Sequence, residues 1–184
     1  MKKLVHYIKK LDSAAFIPYY DDFGKLVTFV LEANQYFTVE KTPYYVMDKS
    51  LRYYGTSMRG AKDGVKEILG NVNMSPVIVN VEHGMYWLPT KSPRAADCAW
   101  LCLAFIFSCK DDGQGGSIVT LTTGDKIHLD VECLKLKNRI HQTYVLKCEI
   151  EKRIKLMQQR KKQRKSVRIK LHNNRIQLND VEDE

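Results

Sequence analysis

Over the first forty residues apolar and polar positions alternate with a period of two, the spacing that puts every second side chain on one face of a strand. The alternation predicts strands from Leu4 to Ile8, Ala15 to Tyr19, Lys25 to Leu31 and Tyr36 to Glu40, with turn-forming residues at Asp21-Asp22-Phe23-Gly24 and Ala33-Asn34. Strands joined this closely form an antiparallel meander. At Pro43 the pattern changes. Thr42 is a suitable N-cap and proline is preset for a first helical turn, so a helix is expected from Tyr44 to Tyr54, ended by Gly55 in the left-handed conformation. A loop from Thr56 to Gly60 then leads to a second helix of about eight residues that stops at Gly70. Strands from Val77 to Val81 and Met85 to Leu88 flank His83-Gly84.

Pro89 to Asp97 reads as irregular, and Cys98 to Ser108 is almost continuously apolar, as a central strand buried on both faces would be. The Gly-rich turn from Asp111 to Gly116 leads to a hairpin, Ile118 to Leu121 and Lys126 to Val131, closed at Thr123-Gly124. From about Leu134 the period becomes helical: Leu136, Ile140, Tyr144 and Cys148, then Ile150 and Ile154, follow i, i+4 spacing. The stripe lapses after Met157, so the Arg160 to Lys165 run is expected to project from the body. Val167, Ile169 and Leu171 alternate with Arg168 and Lys170, and Ile176 and Leu178 follow His172-Asn173-Asn174-Arg175, a pattern shared by a late hairpin and a docking peptide. The fold class is α+β: a mostly antiparallel sheet, two short central helices and a long C-terminal helix. No internal repeat is present.

Charge sharpens this outline. The 184 residues carry 30 Lys and Arg against 21 Asp and Glu, a net +9. Lys147 to Lys170 alone holds eleven basic and two acidic residues, so this segment contains the whole excess and the rest of the chain is neutral. Within it Arg160, Lys161, Lys162, Arg164 and Lys165 are denser than helix solvation requires, which favours contact with a polyanion over a merely solvated helix end. The longest uncharged apolar run, about a dozen residues, is too short to span a bilayer, and Leu4 to Ile8 is too short and polar for a signal peptide. The chain is expected in the cytoplasm, with no membrane partner.

Little in the sequence suggests catalysis. Cysteines at 98, 102, 109, 133 and 148 are odd in number and lack paired zinc spacings, so free, mostly buried thiols are expected, with no metal and no cofactor. The histidines (His6, His83, His128, His141, His172) are scattered, and His128 reads as an ordinary strand position. Cys98 or Cys102 with His141 could in principle form a thiol and base pair, for which the sequence alone gives no geometry. Gly113-Gln114-Gly115-Gly116 lacks the following helix that phosphate binding requires. The chain is expected not to be an enzyme.

The more specific signal lies between Asp48 and Gly64, where basic, aromatic, hydroxyl and glycine residues meet at a helix end and the helix after it. Small residues let backbone approach a phosphate, hydroxyls and amides hydrogen-bond it, and Arg52, Arg59, Lys62 and Lys66 supply charge. The alternative is a structural corner in which a tyrosine is buried and Arg52 pairs with Asp48 at i, i+4.

Five ordered landmarks carry a family resemblance: Asp48-x-Ser50-x-Arg52-Tyr53-Tyr54-Gly55-x-Ser57-x-x-Gly60, then Ser75-Pro76-Val77-Ile78-Val79, Leu88-Pro89-Thr90, Cys98-Ala99-Trp100 and the Val119-Thr120-x-x-x-Gly124 hairpin. Together they resemble the ComK family of bacterial competence transcription factors, over roughly residues 4 to 150. The resemblance implies a cytoplasmic, nucleoid-associated activator of DNA-uptake genes. It implies recognition of paired A-tract and T-tract boxes in double-stranded DNA through the minor groove, with bending of the duplex. It further implies action as a homo-oligomer, dimer or tetramer, with RNA polymerase, and control by an adaptor that delivers the chain to an ATP-dependent protease. Narrow A-tract minor grooves attract inserted Arg and Lys, which agrees with a basic corner. Residues 1–157 are then the DNA-binding domain and 158–184 a basic, then acidic, tail. Arg52, Arg59, Lys62, Lys66 and Arg94 are the candidates for groove or phosphate contacts, and Arg160 to Lys165 for sequence-independent attraction. Two other classes remain: an RNA or single-strand-binding module stacking bases on Tyr20, Tyr36, Phe37 or Tyr53, and a regulator that binds only protein through Val167 to Leu178.

Overall fold

The computed structural model describes residues 3–8, 10–163, 167–172 and 175–180, with side chains described as far as residue 159. The chain divides into two compact units, residues 1–148 and 149–184. The first holds strands β1 (Lys3–Leu4), β2 (Ser13–Tyr20), β3 (Leu26–Glu32) and β4 (Tyr36–Val39), then helices α1 (Pro43–Tyr53) and α2 (Met58–Leu69). Strands β5 (Val77–Asn80), β6 (Met85–Pro89) and β7 (Trp100–Cys102) follow, then a 3-10 turn at Leu103–Phe105 and strands β8 (Ile106–Asp111), β9 (Ser117–Leu121) and β10 (Lys126–Leu129). Helix α3 (Cys133–Gln163) continues past the boundary, and the second unit ends in a hairpin, β11 (Val167–His172) and β12 (Arg175–Asp180), with Ile169 opposite Leu178. The late alternation is therefore a hairpin. The architecture is α+β, as the hydropathy pattern indicated.

A seven-stranded sheet in the order β1-β4-β3-β2-β7-β6-β5 is buried on both faces at its centre, while β10-β9-β8 form a second sheet. On one face Phe16, Trp87 and Trp100 pack against Val46, Met47 and Leu51 of α1 and Met58 of α2. On the other, Ala15, Leu88 and Leu101 pack against Val119, Leu121 and Ile127 of the second sheet and Leu136 of α3. Alternation along β6 and β7 produces this division: Trp87 and Leu88 are neighbours in sequence but belong to opposite cores.

Three local expectations change. The first strand shrinks to two residues and pairs parallel, not antiparallel, to β4. Tyr7 leaves the strand line because it is drawn inward, 5.1 Å from the Phe37 ring, with its hydroxyl 2.5 Å from Glu32 Oε1 and Ser13 Oγ. Burial and the Glu32 carboxylate push its phenol above the ordinary tyrosine value. Second, Cys98 to Ser108 is not one strand. Its first half pairs in the large sheet and its second half in the small one, so the chain must turn between them at Leu103–Phe105. Third, α2 begins at Met58 rather than after Gly60, because the Ser57 hydroxyl accepts a hydrogen bond from the Gly60 amide and caps it there.

None of the five cysteines is in a disulfide. Cys109 on β8 and Cys133 at the start of α3 lie Sγ to Sγ at 3.7 Å, and burial beside the second thiol pushes Cys109 up to about 11. Among the described residues no helix is long and apolar enough to cross a membrane.

Leu136 is fully buried and is the point at which α3 enters the second core. Replacing it with Ala is expected to cost about 2–5 kcal/mol, read as a fall in the denaturant midpoint. An unchanged midpoint would show that α3 is held by other contacts.

Candidate nucleic-acid interface

The corner between α1 and α2 is assembled from local signals. The Thr42 hydroxyl accepts from the Tyr45 amide at 3.3 Å with Pro43 opening α1, and Gly55, at φ 92°, lets the chain reverse after Tyr54. Asp48 then ties the two helices together. Its Oδ2 accepts from Arg52 Nε at 2.7 Å and its Oδ1 from the Met58 amide at 3.0 Å, ten residues on and at the first position of α2. Desolvation opposes ionisation of Asp48, but the Arg52 guanidinium and the Met58 amide outweigh it and hold its carboxyl below the usual range.

Arg52 thus has the expected internal partner, yet 59% of its side chain stays accessible. On α2, Met58 and Val65 are buried, so Arg59, Lys62 and Lys66, spaced i, i+3 and i+7, fall on the outer side together with Asp63. Arg59 lies 3.9 Å from Asp63 with both side chains largely in water, so this pair holds the guanidinium weakly. Lys62 and Lys66 line an open groove whose other wall is residues 70–75 and Pro93. Next to Pro93, the Arg94 guanidinium lies over the Tyr44 ring, 5.6 Å from its centroid. The loop that carries Arg94 is pinned at both ends. Arg139 of α3 donates to the Thr90 carbonyl, the Thr90 hydroxyl accepts from the Ala99 amide at 2.9 Å, and Lys91 pairs with Asp97 at 2.6 Å and Asp130 at 3.3 Å.

All five body candidates therefore gather around one helix pair. Lys41 to Lys66 carries six basic and two acidic residues, and neither helix has an acid in its first turn. The tail candidates stand apart from this description: Arg160, Lys161 and Lys162 belong to α3 but their side chains lie outside the described set, and Arg164 and Lys165 lie outside the described residues. Sequence reasoning missed Lys41, Tyr45 and Lys49. Both ammonium groups sit over the exposed Tyr45 ring, at 5.5 and 5.6 Å from its centroid. The signal was available, since Tyr45, Lys49, Arg52 and Tyr53 repeat at helical spacing on one side of α1.

The other readings fare unevenly. Phe37 is 3% exposed and part of the core, so it is not a stacking platform. Tyr20, Tyr36 and Tyr53 are exposed, Tyr36 being stacked on Phe29. Cys98 is buried, its thiol donates toward the Lys91 and Ala99 carbonyls, and burial pushes its pKa up, the reverse of what a nucleophile needs.

A family model described as ComK protein matches residues 6–155. The chain belongs to the ComK family. Among curated proteins it is 24% identical over 131 residues to the competence transcription factor of Bacillus subtilis (strain 168), covering 71% of this chain and 68% of that relative. No solved structure matches. Arg52, Arg59, Lys62, Lys66 and Arg94 all fall inside the stretch matched to ComK, whereas Arg160 to Lys165 fall beyond it.

Asp48→Asn is expected to destabilise the fold by about 1–2 kcal/mol at neutral pH, since a charged acceptor is lost from two hydrogen bonds. The folded pKa of Asp48 lies below its unfolded value. Its contribution is therefore complete above the unfolded value and is lost as pH falls through the folded one. The stability gap between wild type and variant, measured by urea unfolding at a series of pH values, should narrow in acid. A gap constant down to about pH 3 would rule this role out.

Proposed function

We propose that this ComK-family chain is a DNA-binding transcriptional activator of DNA-uptake genes, and that the α1–α2 corner is its DNA-contacting surface. The observation that carries the reading is the convergence of Arg52, Arg59, Lys62, Lys66 and Arg94 on one capped helix pair, all with accessible charge and inside the family-matched stretch. The name of the Bacillus subtilis relative, a competence transcription factor, supports the biological role. In this reading the corner enters or borders the minor groove of AT-rich boxes, where a narrow groove concentrates negative potential and rewards Arg and Lys without a full code of base contacts. Residues 1–157 act as the DNA-binding body. The tail, 158–184, adds sequence-independent attraction through Arg160, Lys161, Lys162, Arg164 and Lys165. The chain works in the cytoplasm on the nucleoid as a dimer or tetramer, together with RNA polymerase, and an adaptor with an ATP-dependent protease limits its amount.

The test is fluorescence anisotropy on a duplex with two spaced AT boxes, a GC-rich duplex of equal length and a single strand, each across a salt series. Preference for the AT duplex at physiological salt is expected. Replacing Arg59, Lys62 and Lys66 together with Gln should weaken binding and lower the salt slope by about 0.9 for each phosphate that is no longer neutralised. Neutralising the five tail residues should weaken all three ligands alike. Equal binding of all three by the wild type overturns the sequence-specific reading, and tighter binding of the single strand favours the RNA or single-strand class instead.

A further inference from the structure

Tyr45 stands on the outer side of α1, and its ring holds two cations at once. Lys41 Nζ is 5.5 Å and Lys49 Nζ 5.6 Å from the ring centroid. Lys41 precedes the capping Thr42, and Lys49 comes one turn after Tyr45. Neither ammonium has a carboxylate within ion-pair distance among the described residues. The nearest acid on the helix, Asp48, feels the charge of Lys49, but Arg52 and the Met58 amide already occupy its two oxygens. Two like charges gathered over one ring, neither in an ion pair among the described residues, form an incomplete electrostatic arrangement. A cation at an aromatic face gains little in water, so the ring does more to fix the lysines than to neutralise them. An unrestrained lysine gives up considerable rotamer freedom when it binds, and one already held against a ring gives up less.

The position of the pair selects its ligand. Lys49 lies three residues before Arg52 on α1, and Lys41 precedes the Thr42 cap of the same helix. Both ammonium groups lie within 5.6 Å of one ring centroid, so they stand at most about 11 Å apart. A separation up to that limit reaches two or three phosphates along one strand of a duplex, where successive charges rise about 3.4 Å. The ring itself is a poor base-stacking platform here, because a stacked base would have to displace the ammonium groups.

We propose that Lys41 and Lys49, positioned by the Tyr45 ring, form a second phosphate-contacting pair that extends the DNA interface from α2 along α1. The inference rests on the DNA-binding reading above. Lys41 and Lys49 touch the phosphodiester backbone, and Tyr45 is a positioning residue that acts through them. The contact is indifferent to base sequence, so it adds affinity and registers the corner on the duplex without adding discrimination.

The experiment uses the full chain and the same AT-box and GC-rich duplexes. Lys41→Gln with Lys49→Gln should lower the salt slope by about 2 and weaken both duplexes by the same factor. Tyr45→Phe keeps an aromatic face and should bind as wild type. Tyr45→Leu keeps bulk without the aromatic face and should weaken binding about three- to tenfold while leaving the slope close to wild type, because both charges remain. Matching thermal melts by circular dichroism establish that each variant is folded, and if Tyr45→Leu is not, the double lysine variant alone decides. An unchanged slope in the lysine variant overturns the proposal, as does a folded Tyr45→Leu that binds like Tyr45→Phe. The Arg59, Lys62 and Lys66 variant, measured alongside, separates the two claims. Its weakened binding beside an unaffected lysine variant sinks this pair alone, whereas a wild type that binds no duplex sinks the DNA-binding reading and this inference together.

Discussion

The first unit depends on one constraint: strands β6 and β7 are buried on both faces. A strand that is dry on one side needs a single covering layer, but Trp87 and Trp100 point into one core while Leu88 and Leu101 point into the other, so two layers are obligatory. Helices α1 and α2 provide the first, and the small sheet with the start of α3 provides the second. The turn at Leu103–Phe105 follows from the same demand, since one segment must leave the large sheet to build the layer that covers it. The amphipathic helices then have no choice of orientation. Val46, Met47, Leu51, Met58 and Val65 face inward, which leaves the basic positions outside.

Polar groups finish the corner that burial begins. Thr42 and Ser57 cap the two helices, but caps act within one helix each. Asp48 spans both, and because its oxygens are shared between a backbone amide and Arg52, the arginine is held without being neutralised from every side. Arg94 reaches the Tyr44 ring from a loop whose ends are fixed by Arg139, the Thr90 hydroxyl and Lys91. Partial burial of the Arg139 guanidinium lowers its pKa, a cost offset by the Thr90 carbonyl to which it donates. Cations displayed at the surface are thus supported by the half-buried Asp48, Lys91 and Arg139.

What could be read in advance was what local chemistry decides. The hairpin β9–β10, the Thr42 cap, the stop at Gly55 and the Asp48 to Arg52 pair each depend on residues within a few positions of one another. The failures were of two kinds. Pairing of β1 with β4 and the division of Cys98 to Ser108 between two sheets are settled by partners far along the chain, and an unbroken apolar run carries no mark of where it must bend. The start of α2 and the Lys41, Tyr45 and Lys49 cluster were local and still overlooked. Thr56 to Gly60 contains a glycine and two hydroxyl residues, the composition of a loop, although Ser57 serves as a cap. The α1 stripe mixes aromatic and basic residues, and a search for charge alone passes over it.

The edges of the large sheet bear on how copies of this chain can meet. At one end β4 is covered by β1 over only two residues, Lys3 and Leu4, and at the other β5 is four residues long with its register broken between Ile78 and Asn80. A long, flat, unpaired ladder is the template on which sheets of separate molecules fuse, and short or bulged edges are the usual protection against it. Among the described residues neither end of this sheet presents such a ladder. Strand-upon-strand pairing of this large, aromatic-bearing sheet with a second copy is thereby disfavoured at both of its ends.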